Sequence, residues 1–434
     1  MKRLLFISMI SSTAILNTYG LLAEVVSISP TEQKITNYVD AHNEEAISLL
    51  ETTVNINSGT MNPEGVKEVG RVFKAEFDLL GFETSWIPMD QVSRAGHLIA
   101  KRQGNQGNKI LLIGHLDTVF EKDSLFQQFK RLGNMAAGPG VADMKGGIVV
   151  IIYALKALDS IGALDNATIT VMLTGDEEDT GDPLDISRGP LLKAAQASDV
   201  ALGFEGSVGG TGNATVARRG FTGWELKIKG TAGHSSLIFK QDFGSGAIYE
   251  ASRILNAFYE ELRGEPYLTF SPGIILGGTT SEYDPVQSRG TTFGKTNVIP
   301  ETVVVAGDLR FISEQQRETT KNRMREIVAH NLPLTSADIV FQDSYPAMSP
   351  TPGNYGLLEQ LSQVSQALGL GNVTAVDPGL RGAADISFAA PYADSLDGLG
   401  VVGTGGHTVD EKVDLSSIPV VTKRAAIFIH RLIQ

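Results

Sequence analysis

The 434-residue chain contains no cysteine. That absence excludes disulfides, a thiol nucleophile and thiolate metal ligands, so a bound metal must be held by His, Asp and Glu. It also suits an oxidising compartment, where stray thiols are a liability. Positive charge is short too: 36 Lys and Arg face 49 Asp and Glu, a formal charge of -13. This balance argues against nucleic acid or anionic lipid as the main partner, although many proteins are acidic simply for solubility. Beyond residue 23 no run is long and apolar enough to cross a membrane. What is present, 42% apolar and 20% charged residues, describes a folded, soluble protein, and the length predicts two domains.

The first segment is set apart. Lys2-Arg3 precedes an uncharged, mostly apolar stretch at residues 4–23, and the small Ala23 stands just before the first acid, Glu24. That order matches a secretory signal peptide at residues 1–23, which predicts a secreted or periplasmic protein without a membrane anchor after cleavage. Leu21 is larger than the residue usual before such a cut. The rival reading is an uncleaved anchor, against which stand Asn17, Gly20 and several serines and threonines.

Apolar periodicity organises the rest. Ile35, Val39, Ile47, Leu50 and Val54 recur at helical spacing, as do Val66, Val69, Phe73, Phe77 and Leu80. Residues 109–114, 169–173 and 199–204 are short continuous apolar runs, as expected of strands buried on both faces. Between the first two, a Gly-rich loop at 138–147 leads into a helix carrying Val150, Ile151, Leu155 and Leu158 on one side. Alternating strands and helices predict an α/β domain around a mostly parallel sheet. In the middle, residues 224–229 alternate apolar and charged, helices follow near 247–262 and 314–330, and a strand lies at 302–311. These suit a smaller α+β insertion. The βα pattern returns near 355–368 and ends in a helix at 420–433. The expected divisions are 24–216 and 342–434 for the interrupted domain and 217–341 for the insertion.

Two apolar runs end in metal-ligand residue types: His115-Leu116-Asp117 after the first and Asp176-Glu177-Glu178 after the second. In open α/β sheets the carboxyl ends of strands are where ligands bind. Asp117 can turn back to orient the His115 imidazole. Asp143 lies in the Gly-rich loop, either beside something small or as the N-cap of the next helix. Glu177 and Glu178 place like charges side by side, costly at a buried strand end unless a cation compensates them. One can then bind metal while the other works as a base; the bland alternative is a solvated acidic turn. Glu205 follows another apolar run, and His407 sits in a glycine turn near the last helix.

The ordered strings Gly114-His-Leu-Asp-Thr-Val119, Gly138-Pro-Gly-Val-Ala-Asp-Met-Lys-Gly-Gly147, Thr174-Gly-Asp-Glu-Glu178, Phe204-Glu205, Gly233-His234, Thr296-Asn-Val-Ile-Pro300 and Gly406-His407 resemble those of the M20 metallopeptidases, most closely the glutamate carboxypeptidase-like branch. The resemblance implies a zinc-peptidase catalytic domain interrupted by a lid that commonly dimerises, hence a homodimer. It implies that His115, Asp143, Glu178, Glu205 and His407 hold two Zn2+ per subunit, or other divalent ions, with Asp143 bridging. Asp117 would support His115, and Glu177 would be the general base. Two metals about 3.5–4 Å apart can share a hydroxide that attacks an amide. His234 resembles the lid histidine that stabilises the oxyanion, with an ordinary surface histidine as the alternative. Asn297 and Arg310 resemble lid residues that bind substrate; alternatively Asn297 is a turn residue and Arg310 half of a strand salt bridge.

The implied activity is cleavage of an amide next to a free carboxylate, in a small peptide or an N-acyl amino acid. A different class, an inactive exported carboxylate- or peptide-binding protein on the same scaffold, is also to be weighed. Departures bear on the substrate. Where glutamate-releasing relatives carry a basic residue before proline, this chain has Ser344-Tyr345-Pro346. Arg381, in Gly379-Leu-Arg-Gly-Ala-Ala-Asp385, is an unusual charge in a glycine-rich loop, open between contact with substrate and pairing with Asp377.

Overall fold

The structure, a computed structural model, describes residues 27–285 and 287–434. The expected signal peptide lies outside the described residues. Among those described, no helix is long and apolar enough to cross a membrane.

A six-stranded sheet carries the larger core. Its strands lie in the order Glu83–Met89, Arg94–Arg102, Ala167–Thr174, Gln106–His115, Val200–Gly203 and Asp394–Leu396. The last four run parallel, while Arg94–Arg102 is antiparallel to both neighbours. Along Gln106–His115, Ile110 and Leu112 face one apolar cluster and Leu111 and Ile113 face another. Both faces are dry, which is why this strand is apolar without alternation. On one side pack helices Lys145–Asp159 and Ser417–Leu432, with Pro30–Ala41 and Asn43–Val54 beside them; on the other lie Gly189–Gln196 and the short Ile386–Ala389. The periodicity expected across 35–54 is thus two helices meeting at His42. Ser29 and Glu32 form a capping box at the first, and Glu32 also pairs with Arg431 of the last helix at 2.7 Å.

The middle of the chain forms a second antiparallel sheet, ordered Thr269–Gly278, Thr302–Phe311, Gly220–Lys229 and Ser336–Asp343. Trp224, Leu226 and Ile228 point one way along Gly220–Lys229, as their alternation predicts, and pack against helices Ala247–Leu262 and Glu314–Ala329. A hairpin, Thr280–Asp284 with Arg289–Phe293, extends this unit. Its polar, exposed strands leave no apolar alternation to read. The expected architecture, an α/β catalytic domain with a mostly parallel sheet joined to a smaller α+β lid, is the one observed.

Candidate metal centre

All four parallel strands end at one edge of the main sheet, and the residues that follow them meet there. His115 terminates Gln106–His115 and is buried. Its Nε2 lies 3.1 Å from Asp143 Oδ1 and 3.6 Å from Glu205 Oε1. Glu205 comes from two residues beyond Val200–Gly203 and Glu177–Glu178 from just beyond Ala167–Thr174. His407 arrives on the turn after Gly403–Thr404, and its Nε2 is 3.2 Å from both Asp143 Oδ2 and Glu178 Oε2. Asp143 therefore turns one oxygen to each imidazole. It does not cap the helix that follows: the N-cap position is Met144, with no side-chain cap.

Asp117 works somewhat differently from the expectation. The nearer partner of His115 Nδ1 is the Asp117 carbonyl at 3.0 Å, with the carboxylate at 3.4 Å. That buried carboxylate accepts the Glu177 and Glu178 amides, each at 3.1 Å, and the Thr60 hydroxyl at 2.7 Å. One acid thus fixes the turn that carries both glutamates. The Asp143 loop is fixed likewise by buried Glu411, whose carboxylate accepts the amides of Gly140, Ala142 and Asp143 at 2.8–3.0 Å. Gly147 lets the next helix press against the Glu205 segment, since a Cβ there would lie 2.0 Å from the Phe204 carbonyl.

Behind the glutamates lies a buried network around Arg188. Its guanidinium donates to Asp176 Oδ1 at 2.5 Å, to Asp385 Oδ1 at 2.8 Å and to the Tyr345 hydroxyl at 2.9 Å. Tyr345 in turn donates to the Glu177 carbonyl at 3.0 Å. Thr60, Glu411 and Arg188 escape sequence reading, because nothing in their neighbours marks them as buried polar partners of distant residues. Tyr345 and Asp385 lie in segments that did stand out, but as substrate and loop features.

The electrostatics describe a cluster short of positive charge. Burial, and then the neighbouring acids more than offsetting His115, hold the Glu177 carboxyl well above the usual range. Burial and Asp143 push Glu205 up to about 7. Burial also raises Glu178 against the pull of His407. Burial works against charge on His115, but Asp117 and Asp143 outweigh it and the net direction is upward. Hydrogen bonds to Asp143 and Glu178 lift His407 to about 11. Acids that repel one another in a dry site become compatible when a cation joins them.

Three sets of donors fall within 4.8 Å of one another: His115, Asp143 and Glu205; Asp143, Glu178 and His407; and His115, Glu177 and Glu178. The first two share Asp143, and the nitrogen and carboxylate oxygen donors suit zinc-like ions. His407 has φ +62°, the left-handed region that non-glycine residues rarely adopt, so its turn is held at a cost where the ring reaches Asp143 and Glu178.

His234, Asn297 and Arg310 stand apart from this cluster, with no hydrogen bond or ion pair to it among the described residues. His234 is exposed and its ring meets Ser236 Oγ at 2.9 Å. The Asn297 carbonyl accepts the Ser235 amide at 2.9 Å. Arg310 pairs with Asp308 at 2.9 Å and lies over the Phe221 ring at 4.5 Å, the strand salt bridge that was its alternative reading.

Comparison with known proteins joins this geometry to a family. The family model described as peptidase family M20/M25/M40 matches residues 111–431. Carboxypeptidase G2 of Pseudomonas sp. (strain RS-16) is 28% identical over 377 residues, covering 86% of each chain. A succinyl-diaminopimelate desuccinylase of Acidiphilium cryptum (strain JF-5) is 25% identical over 387 residues, 86% of this chain and 95% of that one. Among solved structures, aminopeptidase PepT from Bacillus cereus has the same fold, with a TM-score of 0.70 at 17% identity over 90% of this chain and 99% of that one. A Bacillus subtilis protein described as a dinuclear metal binding peptidase from M20 family gives a TM-score of 0.65 at 16% identity over 91% and 99%. The chain is thus a hydrolase belonging to peptidase family M20/M25/M40.

Proposed function

We propose that this protein is an exported two-metal hydrolase that cleaves an amide next to a free carboxylate, in a small peptide or an N-acyl amino acid. The observation that carries the reading is Asp143, one oxygen facing His115 and the other facing His407. His115, Asp143 and Glu205 would hold one ion; Asp143, Glu178 and His407 would hold the other. When bound, two Zn2+ or similar divalent ions supply Lewis acidity to the amide carbonyl and to the attacking water. Glu177 would take the proton from water and pass it to the leaving nitrogen, a role supported by its grouping with His115 and Glu178. Asp117 and Tyr345 hold the Glu177 main chain from two sides, so the base is oriented before substrate arrives.

Relatives named as a carboxypeptidase and a desuccinylase support an amide substrate bearing carboxylate. The unit at 217–341 would be the lid, bringing His234, Asn297 and Arg310 to the substrate by closure and joining two copies into a homodimer. The basic start and uncharged stretch at residues 1–23 support export and a secreted or periplasmic location. A panel of dipeptides and N-acyl amino acids, assayed with added zinc, tests the reading. Hydrolysis that disappears on exhaustive chelation and returns with metal is expected. Full activity without metal would refute it, and metal binding without any turnover would favour the carboxylate-binding alternative.

A further inference from the structure

On the Glu205 side of the cluster lies a cavity of about 200 Å3, lined by Asp143, Glu205, Ser207, Arg381 and the glycine turn at 403–406. Among the described residues lining it, Arg381 is the only cation. A guanidinium carries five N–H donors. Here Nη1 donates to the Gly206 carbonyl at 3.3 Å, and Nε is buried without a partner. Asp377, one partner the sequence allowed, instead accepts the Gly379 amide at 2.8 Å. The charges of Asp397, Glu205 and Asp143 favour the charged form of Arg381 from a distance. Asp143 and Glu205 turn oxygens toward His115, and neither forms an ion pair with Arg381 among the described residues.

The neighbouring Arg218 also keeps a buried nitrogen, Nη2, without a partner, but its charge is already paired. Arg218 pairs with Asp397 and also donates to the Gly382 carbonyl at 2.9 Å, which anchors the loop one residue past Arg381. Tyr345, standing where a basic residue was expected, has its hydroxyl enclosed between Arg188 and the Glu177 carbonyl. Half-buried on an anchored loop and lining a cavity that two metal-ligand residues share, the Arg381 guanidinium keeps its terminal Nη2 free of protein partners among the described residues, a planar group that matches the geometry of a carboxylate.

We propose that Arg381 binds a carboxylate of the substrate in this cavity, so that this chain selects amides bearing an acid on the Glu205 side of the metal centre. The inference rests on the amide-hydrolase reading above. The acid has two possible origins: the α-carboxylate beside the scissile amide, or a second carboxylate on the acyl part.

The test compares wild type, Arg381→Leu and Arg381→Lys, each loaded with zinc, on N-butyryl-alanine, N-succinyl-alanine and N-succinyl-alaninamide. Arg381→Leu is expected to lose roughly 10–100-fold in kcat/KM, mainly through KM, on the substrates carrying the acid that is read. Arg381→Lys should fall between, because it keeps charge but not the planar fork. Loss on the two alanine acids assigns the α-carboxylate; loss on the two succinyl compounds assigns the acyl acid. Equal loss on all three, no loss on any, or fewer bound metals in Arg381→Leu overturns the proposal. Calorimetric titration with succinate separates the two readings. Wild type that hydrolyses none of the three yet binds succinate at least 10-fold tighter than Arg381→Leu would sink the hydrolase reading and keep the carboxylate site. Wild type that hydrolyses them, with the variants indistinguishable in both assays, would do the reverse.

Discussion

Glu177 and Glu178 are adjacent in sequence and opposite in consequence. Glu178 faces His407 at 3.2 Å, in a donor set with Asp143, whereas Glu177, half-buried like its neighbour, groups with His115 and Glu178 but not with Asp143, and its main chain is held by Asp117 and Tyr345. Glu177→Gln should therefore lower kcat by about 10²–10⁴-fold while both metals stay bound. Glu178→Gln should lose metal instead. Metal loss in the first and not in the second would mean the roles are exchanged. Asp117→Asn is a subtler test. The amide can still accept from two of the three groups now donating to Asp117, but it brings N–H groups where only acceptors are used and removes the charge beside His115. A drop of about 10–100-fold in activity or metal affinity is expected, with the fold retained. An unchanged variant would show that the carboxylate does not hold the turn.

At the scale of elements, the ends of strands are set by polar partners far away in sequence. Arg188, at the bend between helices Leu184–Ser187 and Gly189–Gln196, links Asp176 to Asp385 beside the carboxyl ends of the strands. Replacing it by Met leaves two buried acids without their cation, which should cost about 3–5 kcal/mol and lower the denaturant midpoint. Tyr345→Phe removes a single hydroxyl from the same network and should cost only about 1 kcal/mol. His97 gives a pH signature. Its Nδ1 accepts the Gly175 amide at 3.2 Å and its Nε2–H donates to the Ser187 carbonyl at 2.8 Å, an arrangement only the neutral ring can make. Burial lowers its pKa, outweighing Asp176. The unfolded chain therefore takes up a proton first as pH falls through about 6.5, and folding stability declines on the acid side. Denaturation of metal-loaded protein between pH 7.5 and 5.5 should show a shallower decline for His97→Asn than for wild type. Equal slopes would exclude His97 as a contributor. These elements also show what sequence can disclose. Strands buried on both faces announce themselves as apolar runs, and His115, Glu177, Glu178 and Glu205 follow such runs directly. Glu411 and Arg188 act through partners some 270 and 200 residues away, so no local pattern reveals them. In the hairpin at Thr280–Phe293 no strand residue is buried, only Ser281 and Tyr283 being half-covered, so its sequence lacks the apolar alternation that a buried face imposes.

Across the whole molecule, the parallel strands of the main sheet deliver acids and imidazoles from remote segments to one edge, where the acids would repel one another unless cations joined them. Metal should therefore hold the molecule together as well as activate it. At a free metal concentration of 100 times Kd, binding contributes about 2.7 kcal/mol per site to folding, so the chelated protein should melt at a lower temperature than the loaded one. A melting temperature indifferent to chelation would deny that link. Counting bound metal by native mass spectrometry, on wild type and on His407→Ala, reaches the central claim most directly. The geometry of Asp143 predicts two ions per chain in wild type and one in His407→Ala, the survivor being held by His115, Asp143 and Glu205. A wild-type chain that takes up no more than one ion at saturating zinc, or a His407→Ala chain that still takes up two, would contradict it.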